Sequence, residues 1–152
     1  MNPLINEMMQ EALALAKEAL ENGEIPVGAV IVKNGEIVGR GRNKREEKQS
    51  ALSHAEIEAI DDACKNLGSW RLDGCHMFVT LEPCPMCAGA IATARIERVY
   101  FGAFDPALGA AGSAINILEM KGAKVVDAFG GIMEAECAAL LKEFFDKARS
   151  KN

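Results

Sequence analysis

Two short strings in this sequence hold most of the residues able to do chemistry: Ser53-His54-Ala55-Glu56 and Glu82-Pro83-Cys84-Pro85-Met86-Cys87. An imidazole and two thiols are donor types that zinc takes in a tetrahedron. His54, Cys84 and Cys87 supply three such ligands. A structural zinc is closed by a fourth protein ligand, whereas a catalytic one keeps a position for water and lowers its pKa to about 7. Glu56, two residues after the histidine, is a carboxylate suited to carrying a proton.

Each string has a second reading. Cys-Pro-Met-Cys at a helix start is also a thiol–disulfide motif. Ser53-x-x-Glu56 is also a capping box, in which the glutamate satisfies backbone N–H groups of a first helical turn. The conjunction favours the metal. Both strings co-occur by chance in on the order of one chain in a thousand, and a redox pair has no use for His-x-Glu. A geometric condition comes with this choice. Residues i and i+2 do not share a helix face, so His54 and Glu56 converge only from the first turn, reaching beyond the helix end. His76, the only other histidine, sits on a strand, where a surface or partly buried role fits better than a fourth ligand. Cys64, Cys75 and Cys137 read as core or near-core residues.

The elements that must position these groups follow from periodicity. Leu4 to Leu20 has helical apolar spacing and Gly23 stops it. Pro26 to Val32 and Glu36 to about Gly41 read as strands joined by Asn34-Gly35, a strong hairpin signal. A polar stretch, Arg42 to Ser50, leads into a helix from His54 to about Leu67. Cys75 to Thr80 is a strand and Pro85 to about Ala94 a helix, with Pro85 suited to the first helical position. That places Cys84 at a positive helix end, which favours thiolate. Then come a strand at Glu97 to Phe101 and a Gly/Ala-rich loop at Gly102 to Gly112. A short helix near Ser113 to Leu118 and a weak strand at Lys124 to Asp127 follow. The closing helix, Glu134 to Lys147, carries Cys137, Leu140, Leu141, Phe144 and Phe145 as its apolar stripe. A hairpin followed by alternating helices and strands predicts an α/β fold, a mixed sheet with helices on both faces.

The 152 residues fit one domain, residues 1–152, and 49% hydrophobic content fits a packed core. Aromatics are only 5%, so the core rests on Val, Ile, Leu, Met and Ala. A formal net charge of −5 speaks against extensive phosphate contact and leaves room for a small local grip. The start Met1-Asn2-Pro3-Leu4 is no signal peptide, and no apolar stretch spans a bilayer. Five cysteines, an odd number, fit a reducing cytoplasm better than a disulfide framework.

With these strings the chain resembles the bacterial tRNA-specific adenosine deaminases of the cytidine deaminase superfamily, whose signature joins H-x-E to P-C-x-x-C. The likeness runs nearly end to end, through Pro26-Val27-Gly28-Ala29-Val30, Gly41-Arg42-Asn43, Trp70-Arg71-Leu72, Gly109-Ala110-Ala111-Gly112-Ser113 and Glu136-Cys137-Ala138-Ala139-Leu140-Leu141. It implies a cytidine deaminase-like three-layer α/β/α sandwich and a homodimer with sites near the interface. It implies zinc-dependent hydrolytic conversion of adenosine to inosine at the wobble position of an arginine tRNA anticodon stem-loop. It further implies that Asn43 and the Ala55 backbone hold the flipped base, that Asp105 touches the neighbouring nucleotide, and that the Cys84 N–H supports the oxyanion. The alternative is a free nucleobase or nucleoside deaminase on the same zinc site. Three stretches depart from the family pattern. The loop Phe104-Asp105-Pro106-Ala107-Leu108 lacks basic and hydroxyl residues beside its aspartate. Met120-Lys121-Gly122-Ala123 stands where an Asn-His pair is usual, and the tail Asp146 to Asn152 is only modestly basic. Phe104 and Leu108 fit loop packing or a dimer contact as well as base stacking.

Overall fold

A computed structural model describes residues 3–150. The first two residues, and Lys151 and Asn152 of the basic tail, lie outside the described residues. The opening helix α1 (Pro3–Glu21) buries Met9, Ala12, Leu13, Ala16 and Ala19 along one stripe. Past its end, Gly23 takes φ 78°, the left-handed conformation that closes a helix cheaply at glycine.

Strands β1 (Gly28–Lys33) and β2 (Glu36–Arg42) form the expected antiparallel hairpin. Its turn residues Asn34 and Gly35 have φ 51° and 79°, the two positive angles that a type I′ turn demands. Strands β3 (Cys75–Leu81), β4 (Arg98–Ala103) and β5 (Asp127–Phe129) complete a sheet of order β2-β1-β3-β4-β5. β1 runs antiparallel to β2 and β3, while β3–β4 and β4–β5 are parallel, so the sheet is mixed.

Alternation along the strands divides the core into two layers. Ala29, Ile31, Met77, Val79 and Val99 face helices α3 (Ala55–Leu67) and α4 (Pro85–Thr93). Val30, Val32, Phe78 and Tyr100 face α1 and α5 (Glu134–Ser150). Helices thus cover both faces, as expected. The helix layer over β2 sits very close to the sheet because β2 carries glycine there: a Cβ on Gly41 would lie 2.3 Å from the Ala55 oxygen and 2.4 Å from the Ala59 nitrogen. Among the described residues no helix is long and apolar enough to cross a membrane.

Four local expectations change. The polar stretch after β2 contains a helical turn, α2 (Arg45–Lys48). Its first donors are taken by the buried Glu24 carboxylate, which accepts the N–H of Glu46 at 3.1 Å and of Glu47 at 2.7 Å. A cap more than twenty residues upstream leaves no local sequence signal. The last strand falls at Asp127–Phe129 rather than Lys124 to Asp127, where Tyr100 and Phe129 stack at 5.2 Å between ring centroids. The helix expected near Ser113 shrinks to a 3-10 turn at Ile117–Glu119, because Ser113 is bonded elsewhere. Of the α5 stripe only Cys137 is buried, and Phe145 is 47% exposed.

The Gly41 contact makes a direct test. Gly41→Ala forces α3 off the sheet, and overpacking of this kind costs about 1–3 kcal/mol. Urea denaturation should show that loss, while Gly74→Ala, whose Cβ meets no atom within 4 Å, is strained only by its φ of 74°.

Candidate metal centre

His54 is the N-cap of α3, with extended φ −75° and ψ 154°, and its side chain makes no capping bond. Cys84 is the N-cap of α4, with φ −74° and ψ 173°, and Pro85 follows in the first helical turn. Both caps stand at one end of the sheet. Gly28 pairs with Arg42 at the end of β2, and its N–H reaches the Thr80 hydroxyl on β3 at 3.2 Å. The imidazole therefore points out of one helix start and the thiols out of the other.

The His54 Nδ1 lies 3.6 Å from the Cys84 Sγ and 3.6 Å from the Cys87 Sγ. Zinc bonds of about 2.0–2.1 Å to nitrogen and about 2.3 Å to sulfur, at tetrahedral angles, set the two donor atoms about 3.6 Å apart. The three donor atoms lie within 4.8 Å of one another. Spacing and donor chemistry fit a zinc ion, and His54, Cys84 and Cys87 form a group able to hold one. His76 stands apart on β3, its Nε2 3.6 Å from Glu97.

Glu56 is only 4% exposed. The helix begins one residue later than a Ser53 cap requires, so the capping-box register is lost. Ser53 instead bonds to Glu58, and the Glu56 carboxylate lies beside the donor group, bonded to its own N–H and to the Cys87 thiol. Burial pushes the Glu56 carboxyl up to about 7; the Cys84 thiolate adds to the shift and His54 opposes it. The two thiols share one charge. The hydrogen bond from Cys87 brings Cys84 down to about 4, with His54 helping, and Cys87 as the donor is pushed up. The bond to Cys84 also raises His54.

A cavity of about 410 Å³ opens onto this group. Asn43, Ala55 and Asp105 line it, as do Phe104, Leu108 and Phe145. Asn43 is buried, and its Oδ1 accepts the Arg45 N–H at 3.1 Å. No acceptor among the described residues takes its Nδ2 amide. Asp105 turns its Oδ1 onto the N–H groups of Ala107 and Leu108, at 3.1 and 3.2 Å, closing an Asx-type turn. Phe104 stacks edge-on against Phe101 at 5.1 Å.

Sequence reasoning missed three contributors to this cavity. Arg45 and Phe145 reach it from α2 and α5, and neither has a local signal, because each is brought there by chain folding. Glu82 is 2% exposed beside the cysteine turn and accepts several loop N–H groups. Its place inside the Glu82-Pro83-Cys84 string was the available hint.

The sheet order, the helix-covered faces and the His/Cys/Cys group define the cytidine deaminase-like fold. The model of the MafB19-like deaminase family matches residues 5–149. A tRNA-specific adenosine deaminase from Bacillus subtilis (strain 168) is 50% identical over 144 residues, 94% of this chain and 89% of that protein. A solved structure from a study of A-to-I editing by tRNA deaminases at the wobble position of transfer RNA is 42% identical. The match covers 89% of this chain and 99% of that one, with a TM-score of 0.86. A guanine deaminase from Bacillus subtilis is also 42% identical, but the match covers 68% of this chain and 66% of that one, with a TM-score of 0.63. The chain belongs to the family of bacterial tRNA-specific adenosine deaminases.

The charge distribution predicts a selective thiol. After metal removal, iodoacetamide should modify Cys84 ahead of Cys137, whose thiol burial pushes up to about 12. The depressed Cys84 thiol keeps its thiolate until pH falls through about 4, so its labelling rate should stay level from about pH 8 to about pH 5, where an ordinary cysteine slows tenfold per unit. Mass spectrometry of the labelled peptides measures both effects.

Proposed function

We propose that this chain hydrolytically deaminates adenosine to inosine at the wobble position of an arginine tRNA, with one zinc per chain. The observation that carries the reading is a buried carboxylate beside a zinc-spaced donor group, on the floor of a cavity large enough for an unstacked base. Identity over the full length favours tRNA over a free base: the tRNA-directed relatives are 50% and 42% identical over 94% and 89% of this chain, whereas a guanine deaminase from Nitrosomonas europaea that aligns over 91% of it is 22% identical.

His54, Cys84 and Cys87 hold the metal. When bound, zinc supplies an activated water at neutral pH. Glu56 would carry both protons of the water: one to the ring nitrogen as oxygen bonds to the reacting carbon, then the remaining hydroxyl proton to the exocyclic amine as the C–N bond breaks and ammonia leaves. A carboxyl raised to about 7 by burial accepts and returns a proton with similar ease near neutral pH. Asn43 offers its unpaired Nδ2 amide to the base, and the Ala55 backbone at the start of α3 lies against it. The Cys84 N–H, among the first donors of α4, takes the developing oxyanion. Asp105 and the apolar rim receive the neighbouring nucleotide. The single-domain chain works in the cytoplasm as a homodimer on the anticodon stem-loop.

Three measurements check this reading. Purified protein should carry one zinc per chain, and Cys84→Ser or Cys87→Ser should lose most of it and melt lower, since bound metal stabilises the fold. Glu56→Gln should keep zinc and fold while losing nearly all turnover; a mere capping role would instead cost about 1 kcal/mol of stability and leave activity intact. In an ammonia-release panel, an arginine tRNA anticodon stem-loop should react far faster than free adenosine, guanine or cytosine, with Asn43→Ala strongly impaired. Each phosphate contact to single-stranded RNA adds about 0.7 to the log–log salt slope, so few contacts give a shallow dependence. Efficient turnover of a free base with an unmodified stem-loop would hand the site to the small-molecule reading.

A further inference from the structure

Glu82 follows Leu81, the last residue of β3, and stands two residues before the first cysteine. It is 2% exposed, and no Lys, Arg or His among the described residues pairs with it. Its bonds all go one way, into the loop between β4 and the 3-10 turn. Oε1 accepts the Asp105 N–H at 3.1 Å and the Ser113 hydroxyl. Oε2 accepts the N–H of Ala111 and of Ser113, each at 3.1 Å. The neighbouring Pro83 carbonyl takes the Ala110 N–H at 2.8 Å. Gly109 packs against the same carboxylate, where a Cβ would lie 2.4 Å from the Glu82 Cδ and 2.5 Å from the Asp105 oxygen.

A buried carboxylate needs donors, and a loop without regular structure needs partners for its N–H groups. Glu82 meets both needs at once. Bonds to an ionised acceptor are about twice as strong as neutral ones, so the latch is a firm one. The loop it holds carries Phe104, Asp105 and Leu108 to the cavity mouth. The segment that sets the two thiols thus also sets the rim.

We infer that Glu82 is a positioning residue: it latches the loop at residues 104–113 to the cysteine turn and so fixes the substrate-facing rim relative to the metal group. Its consequence for catalysis rests on the proposed tRNA substrate, because Asp105 and its neighbours matter only to a substrate that extends past the base. Gln at this position keeps one carbonyl oxygen and turns an NH2 group toward backbone N–H donors, so it breaks the latch while nearly preserving volume.

Glu82→Gln should retain full zinc, measured by metal analysis. The amides of Asp105, Ala111 and Ser113 should exchange with deuterium about tenfold faster or more, while β1 and β3 stay protected. On the stem-loop KM should rise about tenfold with kcat falling less than about threefold, the pattern of weakened binding rather than weakened chemistry. Glu82→Gln combined with Asp105→Ala should be no worse than the poorer single variant, because both remove one presentation. Ser113→Ala keeps the carboxylate and removes one donor; it should show the same KM-weighted effect in smaller measure, and decides the matter if Glu82→Gln does not fold. Loss of zinc, a fall confined to kcat, or unchanged kinetics would overturn the assignment. An unmodified stem-loop with the wild-type chain would sink the substrate reading instead, while the amide exchange would still support or overturn the latch.

Discussion

Helices α3 and α4 both begin at the donor group, their N-caps being His54 and Cys84. A helix N-terminus carries roughly half a positive charge together with unpaired N–H groups. Two such ends brought together repel each other unless negative charge lies between them. Here it is supplied by the Cys84 thiolate. The sheet order enforces the meeting. β1 lies between β2 and β3, so the chain leaving β2 toward α3 and the chain leaving β3 toward α4 emerge at the same end. Small residues along β2 let α3 approach closely enough for the imidazole to reach the thiols.

Two buried glutamates organise the loops at this end, and neither is paired with a cation among the described residues. Glu24 caps α2 and thereby shapes the segment after Asn43. Glu82 gathers the loop carrying Asp105. At Glu82 the Ser113 hydroxyl and the backbone N–H groups outweigh burial, which alone would raise the carboxyl, and hold it below its ordinary range. Glu56 has fewer donors, and burial wins. The same residue type is thus held as an anion in one setting and lifted toward its neutral form in the other, according to how many donors face it.

The cavity mouth combines an apolar rim with a chain of net charge −5. Phe104, Leu108 and Phe145 are each 45% exposed or more, and they come from two separate segments. Aromatic and aliphatic groups so placed favour the flat face of a base over a phosphate. The apolar stripe of α5 is divided accordingly: Cys137 secures the helix to the sheet, and Phe145 is turned to the cavity.

His-x-Glu and Cys-x-x-Cys were legible in the sequence as a donor group able to hold a metal because residue type and short spacing are local properties. The hairpin at Asn34-Gly35 and the helix starting at Pro85 were legible for the same reason: turn and N1 preferences act within a few residues. The order of elements, a hairpin followed by alternating helices and strands, likewise announced a sheet covered on both faces. Tertiary structure alone decided that Glu56 is a buried carboxylate beside the thiols rather than a cap, since a one-residue shift in the helix start separates the two. It alone gave α2 its cap, moved the last strand to Asp127–Phe129, and brought Arg45, Glu82 and Phe145 to one cavity. Those outcomes depend on partners tens of residues apart, and a pairing at that distance leaves no period or motif in the chain, because its energy exists only once the segments have met.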